Sequence, residues 1–98
     1  MDYRQMEYFQ RAARLRNITR AARELNVSQP SVTVAVHRLE EELGVPLLDR
    51  SQKQIALTPE GQVFLERTDD ILSRLRDLAA EMKDFRFARK GRIRIGIT

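Results

Sequence analysis

The 98-residue chain predicts a mainly α-helical fold, a winged helix-turn-helix followed by a long dimerisation helix. Three observations carry this. Two helical runs between Thr19 and Leu43 flank the turn signal Asn26-Val27-Ser28. Two short apolar segments, from Leu47 and from Gln54, flank the polar Ser51-Gln52-Lys53. From Phe64 to Phe85, apolar residues recur in an unbroken heptad rhythm.

The elements follow in chain order. Asp2 to Arg16 reads as a helix capped by Asp2, with Met6, Phe9, Ala12 and Ala13 on one face and Arg4, Arg11 and Arg14 on the other. Asn17 is the N-cap expected for the next helix, with Thr19 as the competing cap. That helix is short, and Ala21, Ala22 and Leu25 give it a small-residue face that lets another helix approach closely. Asn26 tolerates positive φ and can end it without glycine. Ser28 is an N-cap for a second helix, and Pro30 fits the first turn, where a missing N–H costs nothing. Val32, Val36, Leu39 and Leu43 form its inward stripe, while Pro30, Val34, His37 and Glu41 point away, flanked by Ser31, Thr33 and Arg38.

Gly44 closes the second helix, and Val45-Pro46 forces an extended exit. Leu47 to Arg50 and Gln54 to Leu57 are expected to pair as a hairpin wing that leans on the helices, because two strands alone are marginal. Thr58 caps a long helix, with Pro59 at its first position and Glu60 in its first turn. Phe64, Thr68, Ile71, Leu75, Leu78, Met82 and Phe85 are spaced 4, 3, 4, 3, 4, 3, the pattern of a paired helix ending around residues 87–90. Gly91 breaks the pattern, and Arg92 to Thr98 alternates like a first strand of a following domain.

A short helix, a turn and a second helix with one polar, uncommitted face is the arrangement that places the second helix in a DNA major groove. Composition agrees. Net charge is +4, and arginine supplies 15 of 18 basic residues, a side chain suited to phosphate and guanine edges. The alternative is a solvated surface that happens to be basic. No cysteine is present, which removes disulfides and thiolate chemistry, and the single histidine, His37, lacks companions for a metal. No apolar run approaches the ~20 residues of a membrane span, and no signal peptide opens the chain, so a cytoplasmic location is expected. The four glycines form no phosphate cradle, so no enzyme and no catalytic residue is predicted.

The run AARELNVSQPSVTVAVHRLEEELGVPLLDR, followed by LTPEG, resembles the N-terminal DNA-binding domain of LysR-type transcriptional regulators. The match covers essentially the whole chain. The resemblance implies that Gln29, Pro30, Ser31 and Thr33 face DNA, and that Lys53 enters the minor groove. Gln29 can pair bidentately with adenine, and Thr33 offers a hydroxyl or a methyl. Val34 departs from the family, which usually carries arginine there. Either the valine meets a thymine methyl, or nothing replaces the reach of the arginine. His37 and Arg38 are candidates for groove or phosphate contacts, and Arg4, Arg11 and Arg20 for phosphates. Arg50 reaches DNA or braces the wing by pairing with Glu40 or Asp49.

The expected division is residues 1–58 for the winged domain, 59–90 for the linker helix and 91–98 for the start of an effector-binding domain. The partners implied are double-stranded DNA and a second copy through the linker helix, a tetramer at full length, with a small-molecule effector on the C-terminal domain. No cofactor is expected on this segment. A coiled-coil protein-interaction module is the competing reading, since fold does not fix function. An acidic or apolar recognition face would favour it. The polar helix start and basic wing favour DNA.

Overall fold

The computed structural model describes residues 1–51 and 53–91, the last four of them as backbone. The strand expected over residues 92–98 lies outside the described residues. Three helices, a two-stranded hairpin and one long helix follow in order: α1 Tyr3–Leu15, α2 Ile18–Leu25, α3 Gln29–Leu43, β1 Leu48–Asp49, β2 Ala56–Leu57 and α4 Pro59–Gly91.

Caps set the boundaries of the first three helices. The Asp2 carboxylate accepts from the Gln5 amide, and Asn17 Oδ1 accepts from the Arg20 amide at 2.9 Å. Asn17, not Thr19, is therefore the cap of α2. Asn26 ends α2 in the left-handed region at φ 59, and the Val27 amide reaches back to Ala22 O. Arg16 also adopts positive φ, 52, which nothing in its side chain favours. Gly44 ends α3 at φ 75.

Two apolar clusters hold the helices. Ala12, Ala21, Ala22 and Val32 meet where α1, α2 and α3 approach closely through small side chains. Phe9, Ala13, Val36, Leu39, Leu47 and Leu48 form the second, with Phe64 and Leu65 of α4 packed against it. The rings of Phe9 and Phe64 meet edge to face, with centroids 5.2 Å apart. Leu43, expected inside, is exposed instead, as the last residue of α3.

The hairpin pairs antiparallel, Leu48 opposite Leu57 and Asp49 opposite Ala56. It is shorter than expected at both ends. The junction between wing and α4 is built by one hydroxyl. Thr58 Oγ1 donates to Pro46 O and Leu47 O and accepts from the Gly61 amide at 2.9 Å, capping α4. The Thr58 amide also donates to Leu47 O, so α4 begins pressed against that carbonyl. A Cβ on Gly61 would lie 2.0 Å from Leu47 O. Glycine is thus a requirement of close approach here, not of unusual φ.

The 33 residues of α4 make a rod of about 50 Å at ~1.5 Å per residue, which accounts for the 56 Å long axis of the molecule. Gly91, expected to break the helix, is its last residue. Only the first part of α4 belongs to the core. Thr68 and Leu72 are buried, while Ile71, Leu75, Leu78, Met82 and Phe85 are 42–52% exposed. The expected seam therefore divides. Phe64 and Thr68 pack on the same chain, Leu72 joins them off the heptad, and the free stripe starts at Ile71.

Candidate nucleic-acid interface

Helix α3 presents its polar side as a ridge between two open grooves. One groove, of about 480 Å3, is lined by Gln29, Thr33 and His37 of α3, Arg50, Lys53 and Ile55 of the wing, and Arg16 to Thr19 at the start of α2. The other, of about 460 Å3, lies between α3 and the N-terminus of α1. Pro30, Ser31, Val34 and Arg38 line one wall, and Arg4, Gln5 and Tyr8 the other. The nine residues expected to meet DNA thus divide into two sets. Gln29, Thr33, His37, Arg50 and Lys53 share the wing groove, while Pro30, Ser31, Val34 and Arg38 share the α1 groove.

The start of α3 is ordered by its cap. Ser28 Oγ accepts from the Ser31 amide and lies 2.8 Å from Ser31 Oγ, so the Ser31 hydroxyl is tied into the cap. Gln29 is exposed, and its Oε1 accepts from Thr19 Oγ1 at 3.3 Å. Val34 is 46% exposed beside Arg38 and Arg4.

The wing is fastened to α3 through Glu40. Its Oε2 accepts from the Leu47 and Leu48 amides at 2.7 and 3.1 Å. Its Oε1 lies 3.8 Å from Arg50 Nη1 and 3.6 Å from His37 Nδ1. Arg50 therefore braces the wing from the side that faces the groove. At the turn, Asp49 accepts from both the hydroxyl and the amide of Ser51, which lowers its carboxyl below the ordinary 3.8. Lys53 is exposed, with no carboxylate within ion-pair distance among the described residues.

Other arginines divide the same way. Arg11 is held by Glu24 at 2.9 Å and Arg14 by Asp69, so both guanidiniums serve helix contacts first. Arg4, Arg16, Arg20 and Arg38 form no ion pair among the described residues. No group of three or more histidines and acids that could hold a metal occurs among them either. No helix among them is long and apolar enough to cross a membrane.

Residues 3–62 match the family described as bacterial regulatory helix-turn-helix protein, lysR family, which is more than half of the chain. The chain belongs to the LysR family. It is 46% identical over 80 residues to a probable cat1 operon transcriptional activator of Acinetobacter lwoffii, covering 82% of this chain and 26% of that protein. It is 41% identical over 99 residues to the transcriptional regulator BsdA of Bacillus subtilis, covering all of this chain and 34% of that one. The LysR-family chain thus spans about a quarter to a third of these relatives. Among solved structures it is similar to a BenM DBD/catB site 1 DNA complex, with TM-score 0.84 and 32% identity over 87% of this chain and 96% of that one.

Sequence reasoning missed Arg16, Asn17 and Thr19 as groove residues. Asn17 and Thr19 carried a capping signal that hid any other use. Arg16 carried no signal, because its approach depends on the left-handed turn that follows α1.

Proposed function

We propose that this chain is the DNA-binding and dimerising segment of a bacterial LysR-type transcriptional regulator that acts in the cytoplasm and catalyses no reaction. α3 lies in the major groove, and the wing reaches the adjacent minor groove with Lys53. The observation that carries this reading is the shared groove. The α3 start, the basic wing and the α2 start converge on one open surface, where phosphate attraction and base contact act together. Two copies joined along α4 read an interrupted inverted repeat. At full length the regulator is a tetramer, and its further domain binds a small-molecule effector. The division at residues 58–59 and 90–91 follows the same reading.

The test is selection of binding sites from random duplexes with this 98-residue chain, followed by a salt titration. We expect an enriched inverted repeat and a steep fall of affinity with salt. Each phosphate contact contributes a slope of about −0.9 in log K against log salt. Lys53→Ala should reduce that slope by about one contact and weaken A·T preference beside the half-site, where a narrow minor groove attracts cations. A chain that binds all duplexes equally would overturn the reading.

A further inference from the structure

We infer that Thr19 is a positioning residue for Gln29, setting the orientation in which the glutamine amide meets a base. This rests on the DNA-binding reading above. Three observations lead to it. First, Asn17 is the cap of α2, so the Thr19 hydroxyl is released from the capping role that its type and place would suit. Thr19 is the second residue of α2, with no carbonyl one turn earlier in its own helix to accept its proton. Second, that hydroxyl donates to Gln29 Oε1 at 3.3 Å, across the turn from α2 to α3 and ten residues along the chain. No other hydrogen bond to the Gln29 side chain occurs among the described residues. Third, both residues line the groove that holds Thr33, His37, Arg50 and Lys53, so the bond lies at the interface itself.

The chemistry follows from the amide. A free glutamine can present either its oxygen or its NH2 to a base edge, and turning it over exchanges acceptor for donor. A hydroxyl donated to Oε1 turns that oxygen toward α2 and presents Nε2 outward. The NH2 then meets a purine acceptor, while the second lone pair of Oε1 stays free to complete a bidentate pair with adenine. Threonine is suited to this because branching at Cβ limits its χ1 wells, and a fixed hydroxyl fixes its acceptor. Glutamine otherwise loses a large share of rotamer freedom on binding, and ordering it beforehand reduces that loss.

The experiment uses the 98-residue chain, the duplex it selects from a random pool, and that duplex with each base pair of one half-site replaced in turn. Thr19→Val removes the hydroxyl and keeps the branched shape. It should weaken binding about threefold to tenfold, the worth of one ordinary hydrogen bond. It should also flatten discrimination at the one base pair whose preference Gln29→Ala abolishes. Thr19→Ser should restore both. In the Gln29→Ala background, Thr19→Val should change nothing further. An equal loss with and without Gln29 would show an independent phosphate contact and overturn the inference, as would an unchanged Thr19→Val. A measurement without DNA keeps the two readings apart. In the free chain, the order parameter of the Gln29 side-chain amide should fall on Thr19→Val and recover in Thr19→Ser. If no duplex is enriched, the regulator reading fails, and this order parameter alone decides whether the hydroxyl holds the amide.

Discussion

At the scale of single residues, Val34 stands apolar and exposed on the outer face of α3. Its side chain is exposed on the α1 groove, between Arg4 and Arg38. An apolar group there can meet a thymine methyl and cannot accept or donate. Val34→Arg should therefore move the preference at one base pair, by roughly 1–3 kcal/mol if the new contact is bidentate. Competition binding with single-base-pair variants reads this. Thymine-to-uracil replacement removes only the methyl, and equal affinity for uracil at every half-site position would make Val34 a bystander. Gly61 gives a second prediction at this scale. An alanine Cβ would meet the backbone of Leu47, which cannot swing aside as a side-chain end can. Gly61→Ala should cost about 1–3 kcal/mol, as overpacking does, and lower the midpoint of thermal unfolding. These two residues differ in how far the sequence could speak. Val34 was readable from helical phase alone. Gly61 stood out only through the family resemblance, because the clash involves a carbonyl fourteen residues earlier, which no local pattern displays.

At the scale of elements, caps and helical phase were legible and packing partners were not. Asp2, Ser28, Gly44 and Thr58 stand where their side chains or backbone freedom put them. The heptad rhythm of α4 falls on one continuous helix. It could not say that its first two members pack on the same chain, because the same apolar spacing serves a partner in the same chain or in another. Leu72, outside the heptad, is buried, so the face of α4 that enters the core is not the heptad face alone. Where α4 meets α1, Asp69 accepts from Gln10 and from Arg14. Burial pushes the Asp69 carboxyl up. The two hydrogen bonds and the charges of Arg14 and Arg76 outweigh it and hold the group below its ordinary 3.8. The folded state therefore favours the ionised form, and its contribution is present above the ordinary value and lost as pH falls through the lowered one. Asp69→Asn should destabilise the chain at neutral pH by up to about 1 kcal/mol, the range of a solvent-facing pair. Denaturation curves at pH 7 and in acid should converge for mutant and parent as the carboxylate protonates. A constant difference across that range would show that the charge of Asp69 contributes nothing.

At the scale of the whole molecule, the compact head and the bare rod share one cause, the place where α4 leaves the core. The head buries its own core around Phe9, Leu39 and Leu47, and it includes α4 only as far as Leu72. Beyond that point Leu75, Leu78, Met82 and Phe85 stand half exposed along one stripe, with Ile71 at its start. A contiguous apolar stripe of this kind is a surface for association, and a second copy offers the same stripe. Closed two-fold pairing would present two α3 helices in related orientations, which an inverted repeat would mirror. The heads should be spaced by about one turn of DNA or a multiple of it, roughly 34 Å per turn. Replacing Leu75 and Leu78 together with glutamate should place charge in the seam and give a monomer by sedimentation. The heads should stay folded, since neither residue belongs to the core. Binding to the full repeat should then fall toward that of one half-site, by roughly 10²–10⁴-fold, because the second head no longer arrives tethered to the first. A double variant that remains dimeric at micromolar concentration would place the pairing surface elsewhere. A monomer that keeps full affinity for the repeat would separate dimerisation from operator recognition altogether.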